Sequence, residues 1–401
     1  MISVSEADRI IRQNIELFPV IQCDLDEAYG RILREDIYSD RDQPPFHKAL
    51  LDGIAIHYAS WQKGIRKFPI ERIQAAGQNP LKLQNKNACI EIMTGAALPF
   101  DCDCLIPVEY ITTSNNIAIV KKQINLQRML NIRPQGSDYR KGEKLLAKKC
   151  VLLPPQIGVC ASVGKNKIKV TKTLKIAIIS TGDELVKVNV PIKPYQTRIS
   201  NSYALQAAFQ KTGHLDTVMF HLKDDKKQLF IQIRSVLNKF DVLVLSGGVS
   251  MGKFDYVPSV LKELGVRVLF HKVAQRPGKP FWFGKSKNKK LVFALPGNPV
   301  STQVCTYRYV LPNLRRALGI KNNRQEYSLL VNDFNKPTEL AYFLPVTINN
   351  TQSGKIEAQP VSISGSGDFV ALAKADGFVE LSDQKKNFKK GTAVPLFRWK
   401  L

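Results

Sequence analysis

The spacing of apolar residues changes along the chain and predicts regular α/β structure from about Leu174 to Gly319. In this stretch, short apolar runs alternate with segments in which apolar residues recur every three or four positions. The runs predict buried strands, and the segments predict amphipathic helices, among them one over 201–212 and one over 225–240. Because strands and helices alternate, we expect a mostly parallel sheet that is covered by helices on both faces.

Other spacings predict further regions around this α/β domain. Ser5 to Phe18 has the pattern of a capped amphipathic helix, and short alternating runs after it predict a small β-rich insertion. After Lys321, five short alternating segments with polar turns predict a small β-barrel. The fold class is therefore α/β and multidomain. The predicted domains are 1–42 with 131–173 (an N-terminal helical linker domain), 43–130 (the β-rich insertion), 174–320 (the α/β domain) and 321–401 (the barrel).

Polar loops that contain glycine follow three of the predicted strands. The segments are KIAIISTGDEL at 175–185, DVLVLSGGVSMGKFDY at 241–256 and LVFALPGNPVS at 291–301. Glycines let the backbone turn sharply and bring its amide groups close to an anion. Each loop could also be an ordinary turn, with Asp255 only capping the next helix. Because such loops gather at the carboxyl edge of an open α/β sheet, three of them favour a ligand site there.

Carboxylates and cations accompany these loops. Asp183, Glu184 and Asp255 follow strands, and oxygen ligands of this kind suit a hard cation such as Mg²⁺ beside phosphates. On an extended backbone the adjacent Asp183 and Glu184 point to opposite sides, so we expect one of them to be a cap or a structural acceptor. Arg276 and Lys279 flank a Pro-Gly turn that could aim both cations at an anion. A solvated basic turn would give the same pattern.

The charge balance is unusual, because 59 Lys and Arg face 34 Asp and Glu and leave a formal net charge of +25. A field of this sign attracts polyanions. The basic residues are dispersed, however, and they lack interleaved aromatic residues or a DNA-reading motif. A solvated surface is therefore the default interpretation, and a phosphate-rich small ligand also suits it. We do not expect nucleic-acid binding.

The first helix and the cysteines predict a cytoplasmic protein. The N-terminal segment carries acidic residues and lacks the pattern of a signal peptide, and no apolar run approaches the length of a membrane span. Seven cysteines, an odd number, fit reduced thiols better than a disulfide framework. Cys102 and Cys104 have no second pair or nearby histidine, so we expect no zinc site there.

Several motifs in a fixed order make this chain resemble a known family. They are LLDGIAI at 50–56, IMTGAALP at 92–99, STGDEL at 180–185, SGGVSMGKFDY at 246–256, RPGKPFWFG at 276–284 and ALPGNPVS at 294–301. The sequence resembles the MoeA family, which includes the gephyrin E domain. The resemblance implies a MogA/MoaB-like α/β domain and a molybdopterin molybdenumtransferase. Such an enzyme takes adenylylated molybdopterin and molybdate as substrates and forms the molybdenum cofactor with release of AMP. The strand-end carboxylates described above add Mg²⁺ as the expected cofactor.

The resemblance also implies which residues form the site. The catalytic residues would be Asp52, Thr94, Glu184, Asp255 and Lys279, with Glu184 and Asp255 as metal ligands. The ligand-binding residues would be Ser180, Thr181, Gly182, Asn201, Ser246, Gly247, Gly248, Ser250, Arg276, Pro277, Gly278, Pro296, Gly297, Asn298 and Ser301. Asp138 would lie at the margin of the site, where an exposed ion-paired loop is the alternative.

The same resemblance implies partners for the chain. In the family, Asp52 and Thr94 approach the α/β domain of the partner subunit, which implies a homodimer with shared sites. The N-terminal helical domain would then also serve dimerisation. An upstream MogA-type adenylyltransferase would supply the adenylylated ligand, and no membrane partner is expected.

The segment before Asp52 departs from the family pattern. Relatives typically read F-D-N-S-A-M-D-G-Y-A, where this chain has His47, Lys48 and Ala49 in place of an acid, an amide and a hydroxyl. A degenerate paralogue that binds molybdopterin without turnover is therefore one alternative. A basic scaffold or nucleic-acid-associated protein is another, motivated by the net charge alone.

Overall fold

A computed structural model gives the structure of the chain and describes residues 1–121, 124–212, 215–249, 255–320 and 325–400. The backbone forms two compact units. The first unit consists of Met1–Arg34, Lys149–Leu153 and Ile168–Leu401, and the second consists of Glu35–Lys148 and Pro154–Lys167.

A six-stranded sheet is the centre of the first unit. From edge to edge its strands are Leu215–Leu222, Leu174–Thr181, Val242–Ser246, Leu291–Leu295, Trp282–Lys285 and Arg267–His271. The first four are parallel to one another, and the last two run antiparallel to their neighbours. The mostly parallel sheet is confirmed. The two antiparallel strands were not predicted, although the lack of a helical pattern between them is typical of an antiparallel connection.

Alternate residues of the central strands fill two cores on opposite faces of this sheet. Ile176 and Ile178 belong to one core, and Ala177 and Ile179 belong to the other. Successive side chains of a strand point to opposite faces. Because both faces are covered, most positions of these strands are apolar, which explains the long apolar runs in the sequence.

The first unit contains the helices predicted over 201–212 and 225–240, which the structure places at Asn201–Gln210 and Lys226–Lys239. The helices of this unit are Val4–Asn14, Asn201–Gln210, Lys226–Lys239, Val257–Glu263, Pro299–Cys305, Leu311–Leu318 and Phe369–Lys374, with a π-helical turn, Thr306–Val310, between the fifth and the sixth and a 3₁₀ turn, Leu25–Glu27. Asp225 caps Lys226–Lys239, since its carboxylate accepts a hydrogen bond from the backbone nitrogen of Gln228 at 2.8 Å. Gly213, the predicted end of the second helix, lies outside the described residues.

The predicted bounds of the first helix, Ser5 to Phe18, are wrong at both ends. The backbone nitrogen of Glu6 donates to the hydroxyl of Ser3 at 3.1 Å, so Ser3 is the cap and the helix begins one residue earlier than predicted. The helix ends at Asn14 because Ile15 has an extended backbone. Phe18 lies beyond the helix, and its backbone nitrogen donates to the carbonyl oxygen of Ala317.

The C-terminal part of the first unit is a closed barrel of five strands, as predicted. The strands are Glu326–Leu330, Ala341–Asn350, Ile356–Pro360, Gly377–Leu381 and Ala393–Arg398. Pairing of the second strand with the fourth closes the ring. A short strand from the α/β region, Gln275–Arg276, adds to the barrel by pairing with Ala341 and Tyr342.

The second unit is β-rich, as predicted for the insertion. Its six-stranded sheet has the order Cys104–Pro107, Gly53–Ile56, Cys89–Ile92, Lys67–Gln74, Ile117–Val120 and Ile111–Ser114. Short strand pairs join Lys48–Ala49 to Ile132–Arg133 and Ile37–Tyr38 to Lys144–Leu146. Its helices are Tyr58–Gln62 and Pro154–Ser162, and Val108–Tyr110 is a 3₁₀ turn.

The remaining strands form short two-stranded pairs. Val20–Asp24 pairs with Lys167–Thr171, Leu185–Val186 with Thr197–Arg198, and Phe334–Asn335 with Asn387–Phe388.

All seven cysteines are free thiols. Burial raises the pKa of Cys104 to about 12, so this thiol of the C-x-C segment is a buried hydrophobic group. Within the described part of the chain, no helix is both long and apolar enough to cross a membrane.

Candidate active site

A cleft of about 970 Å³ opens in the first unit at the carboxyl ends of the parallel strands. Three of the strands, Leu174–Thr181, Val242–Ser246 and Leu291–Leu295, each continue into a loop that lines it. Its other walls are the turn at 276–280 and the barrel loop at 363–369. A cleft at this edge of an open α/β sheet is the usual ligand site of such folds.

The residues predicted for the first unit come together in this cleft. Those that line it are Ser180, Thr181, Gly182, Glu184, Asn201, Ser246, Gly247, Gly248, Asp255, Arg276, Pro277, Gly278, Lys279, Pro296, Gly297, Asn298 and Ser301. Ser250 lies outside the described residues. Three loops that are far apart in sequence therefore supply one continuous polar surface.

Asn201, at the start of a helix, ties two of the loops together. Its Nδ2 donates to the hydroxyl of Ser246 at 2.9 Å and to the carbonyl oxygen of Gly297 at 2.6 Å. Its Oδ1 and the hydroxyl oxygen of Thr181 are buried and have no hydrogen-bond partner among the described residues. Buried polar atoms are nearly always paired. These two atoms therefore favour a polar ligand in the cleft.

The glycine loop after Val242–Ser246 approaches the neighbouring strand end closely. Gly248 has a φ of +66°, and a side-chain carbon there would lie 2.8 Å from the hydroxyl of Thr181. Only glycine fits both the conformation and the space. The backbone of this loop can therefore come close to a bound anion.

Acidic side chains gather on one side of the cleft. Glu184 lines it, whereas Asp183 turns away and accepts a hydrogen bond from the backbone nitrogen of Asp224 at 3.3 Å. Asp183 is therefore the structural acceptor that their adjacency predicted. Asp255 also lines the cleft, and Tyr256, not Asp255, holds the cap position of the helix that follows. The position of Asp255 in the lining of the cleft is what the resemblance implied, and its role in ligand binding stays a prediction.

Sequence reasoning missed Asp224, which also lines the cleft. Its pKa is raised, first by burial and then by the charges of Asp183, Glu184 and Asp255. Asp224 comes two residues after the strand Leu215–Leu222. Its position after a strand of the parallel sheet is the signal that could have found it.

Two exposed cations also line the cleft. Arg276 ends the short strand Gln275–Arg276, Lys279 lies on the turn that follows it, and neither forms an ion pair with a described residue. The backbone nitrogen of Val273 donates to the carbonyl oxygen of Lys279 at 2.9 Å, which fixes the far end of the turn. These two side chains are available to an anion.

The barrel loop at 363–369 is a second feature of the cleft that sequence reasoning missed. The Nδ2 of Asn298 donates to the hydroxyl of Ser366 at 2.8 Å, and the nitrogen of Val300 donates to the carbonyl oxygen of the same residue at 3.0 Å. The carboxylate of Asp368 accepts from the backbone nitrogen of Ala371 and caps the helix after the loop. The Gly-Ser-Gly pattern at 365–367 was the available signal.

Asp52 and Thr94 form a pair within the second unit. The backbone nitrogen and the hydroxyl of Thr94 donate to Oδ1 of Asp52 at 2.6 Å and 2.7 Å. These hydrogen bonds lower the pKa of Asp52. The two residues that the resemblance named together, which are 42 positions apart in sequence, are thus direct neighbours.

The segment around this pair shows how the chain accommodates its unusual residues. The backbone nitrogen of Gln135 donates to Nδ1 of His47 at 3.1 Å, and Lys48 and Ala49 form a short strand. Asp138 forms an ion pair with Arg133 at 2.5 Å, as the structural alternative for this acid predicted.

Comparison with known proteins matches the chain over nearly its whole length. The MoeA N-terminal region (domain I and II) matches residues 2–164, a probable molybdopterin binding domain matches 177–316, and the MoeA C-terminal region (domain IV) matches 329–399. A molybdopterin molybdenumtransferase of Synechocystis sp. is 38% identical over 100% of both chains, and one of Bacillus subtilis is 30% identical over 92% of this chain and 87% of the relative. The crystal structure of a molybdopterin biosynthesis MoeA protein from Pyrococcus horikosii covers 100% of both chains with a TM-score of 0.85 and 31% identity.

Proposed function

We propose, on the premise that this chain belongs to the MoeA family of molybdopterin molybdenumtransferases, how its cleft performs the reaction of that family. The enzyme inserts molybdate into adenylylated molybdopterin and gives the molybdenum cofactor with release of AMP. The observation that carries the proposal is the cleft itself, which puts exposed cations, glycine-loop amides and carboxylates around one cavity. Both substrates are anions, so the cleft must hold negative charge and also place two negative groups close together.

The anionic groups would be bound on the side of the cleft that carries positive charge and hydrogen-bond donors. Arg276 and Lys279 would contact molybdate or the ligand phosphates, since neither cation is neutralised by an ion pair with a described residue. Gly247 and Gly248 would bring backbone amides to a phosphate, and Ser301 would add a hydroxyl. Fixed donors that face a developing charge lower the barrier without reorganising during the reaction.

The carboxylates have the chemistry of a magnesium site. The charges of Glu184 and Asp255 both raise the pKa of Asp224, so each of the two lies close enough to Asp224 to act on it. Among the described residues no group of three or more His, Cys, Asp and Glu is arranged to hold a metal by itself. Mg²⁺ is commonly held by one or two carboxylates together with substrate phosphates and water, which this arrangement allows. When bound, the ion would reduce the repulsion between molybdate and the phosphorylated pterin.

The second unit would complete the site of another subunit. Asp52 is held in its ionised form by two hydrogen bonds from Thr94, and the pair is exposed at the surface of its unit. A homodimer in which this pair serves the partner's cleft accounts for both being kept outside the α/β region. We further propose a MogA-type adenylyltransferase as the source of the ligand and the cytoplasm as the compartment.

The test of the proposed function is cofactor formation by the purified protein. With adenylylated molybdopterin, molybdate and Mg²⁺, we expect a product that restores activity to an apo molybdoenzyme. The same mixture without molybdate should restore none. Molybdopterin binding with no product in either mixture would instead indicate the non-catalytic paralogue that His47, Lys48 and Ala49 suggest.

A further inference from the structure

The side chain of Gln275 is buried against the turn that carries Arg276 and Lys279. It is 0% exposed. Its Nε2 donates to the carbonyl oxygen of Pro277, inside that turn, at 3.1 Å, and contacts Sγ of Cys305 at 3.6 Å. The amide therefore supports the backbone of the turn from the side of the core.

Tyr309 holds the other end of this amide. Its hydroxyl donates to Oε1 of Gln275 at 2.5 Å, and Tyr309 is also 0% exposed. Burial raises the pKa of Tyr309 well above its usual value, so the hydroxyl keeps the proton that it donates. Tyr309 lies in the π-helical turn Thr306–Val310, and its ring packs against Phe281 with 5.0 Å between centroids. Such insertions in helices are frequent near functional sites.

The turn sits directly on the two side chains that support it. Gly278 has a φ of +94°, and a side-chain carbon there would lie 2.6 Å from Nε2 of Gln275 and 2.8 Å from Sγ of Cys305. There is no space between the turn and its support. A change in the amide would therefore be transmitted to the backbone between Arg276 and Lys279.

We propose that Gln275 and Tyr309 are positioning residues that fix the Arg276–Lys279 turn in the orientation in which its cations bind the anionic substrate. The inference rests on the proposed function of the cleft. It assigns the position of the Arg276–Lys279 turn to the buried pair Gln275 and Tyr309. Because Arg276 and Lys279 are exposed and have no ion pair with described residues, the backbone of the turn decides where their side chains begin.

The hydrogen bonds define one orientation of the amide. A carbonyl oxygen only accepts, so Pro277 requires the nitrogen end, and the hydroxyl of Tyr309 then donates to the oxygen end. Without that hydroxyl, Oε1 of Gln275 loses this buried hydrogen bond and the oxygen end of the amide is no longer anchored, so the amide holds the turn less firmly.

Equilibrium binding of molybdopterin, measured anaerobically by fluorescence, tests the inference without requiring turnover. We expect Tyr309→Phe to raise the dissociation constant about fivefold, as for one lost hydrogen bond. The control is Tyr307→Phe, which removes a hydroxyl from the same π-helical turn. The Tyr307 hydroxyl forms no hydrogen bond with a described residue, so binding should match the unmodified protein.

A double-mutant cycle separates positioning from a general loss of stability. If Tyr309 acts through the turn, adding Tyr309→Phe to Arg276→Ala should weaken binding far less than it does in the unmodified protein. The variant Gln275→Met with Tyr309→Phe replaces both polar partners by apolar groups of similar shape, which keeps the core packed. We expect this double variant to bind molybdopterin more weakly than the unmodified protein does.

Two results would overturn the inference. One is equal molybdopterin affinity in Tyr309→Phe and the unmodified protein, and the other is full additivity of the Tyr309→Phe and Arg276→Ala effects. Failure of the proposed function would look different, because AMP release would then be absent from every variant, including the unmodified protein.

Discussion

The carboxylates of Glu184, Asp224 and Asp255 line the cleft, whereas that of Asp183 does not. Glu184 lies in the loop after the strand Leu174–Thr181, and Asp255 lies just before the helix Val257–Glu263. Asp183, next to Glu184 in sequence, instead supports the backbone of Asp224. Of these two adjacent acids, Glu184 lines the cleft and Asp183 accepts a backbone hydrogen bond. Variants of the two can therefore be compared directly.

Removal of charge from the cleft acids should affect turnover and leave the fold intact. Glu184→Gln and Asp255→Asn keep size and hydrogen-bonding capacity, so the melting temperature should change little. Molybdate-dependent AMP release should fall at least about tenfold, which corresponds to about 1.4 kcal/mol of barrier. The matched control is Asp183→Asn, whose side-chain oxygen can still accept from Asp224. AMP release at the unmodified rate in Asp255→Asn would remove Asp255 from the site.

The raised pKa of Asp224 predicts a pH-dependent gain in stability on its replacement. Burial and three neighbouring acids raise the folded-state pKa above the unfolded value, so this group's contribution to stability is lost as pH rises through the folded pKa. Asparagine cannot ionise. Asp224→Asn should therefore melt at a higher temperature than the unmodified protein at neutral pH.

Scanning calorimetry at two pH values checks the sign of this effect. The difference in melting temperature should shrink toward zero at about pH 4, where the unfolded carboxyl is itself half protonated. A difference that is constant with pH would show that the carboxylate of Asp224 is not destabilised by its neighbours.

At the level of elements, the close approach of two strand-end loops shapes the cleft. Gly248→Ala would place its new carbon 2.8 Å from Thr181 and force the loop to move. We expect the dissociation constant for molybdopterin to rise at least about tenfold, because the loop amides would leave the phosphate. Fluorescence titration measures the change.

Gly265→Ala is a matched control for the backbone conformation. Gly265 has a φ of +75°, similar to the +66° of Gly248, but the nearest atom to a new side-chain carbon is 4.0 Å away. Both variants should lose about 1–2 kcal/mol of unfolding free energy. If Gly265→Ala weakens molybdopterin binding as much as Gly248→Ala does, loss of stability and not loop displacement explains the effect.

The sequence predicts those elements whose side chains follow a simple period. The strand Leu174–Thr181 is buried on both faces and reads as an apolar run, and the five barrel strands alternate as half-buried strands do. The loop around Ser366 and the residue Asp224 were not predicted. Their roles depend on contacts with residues such as Asn298, which is 68 positions away, and no local pattern encodes such contacts.

At the scale of the whole molecule, the shared site of a homodimer predicts complementation between inactive variants. Asp52→Ala and Glu184→Ala should each abolish AMP release as homodimers. After mixing and subunit exchange, a mixed dimer would contain one cleft with neither substitution, so part of the activity should return.

Two controls make the complementation decisive. Subunit exchange must be shown independently, for example with differently tagged chains, and each variant mixed with itself should stay inactive. No recovery after proven exchange would place Asp52 and Glu184 in the same subunit's site and contradict the shared arrangement.

The most direct test of the proposed reaction is AMP release by the purified unmodified protein, measured with and without molybdate in the presence of Mg²⁺. The cleft arrangement predicts multiple turnovers of adenylylated molybdopterin that depend on molybdate. Tight binding of the adenylylated ligand with no AMP released in either condition would contradict it, and would show that the chain binds its family's ligand without performing the family's reaction.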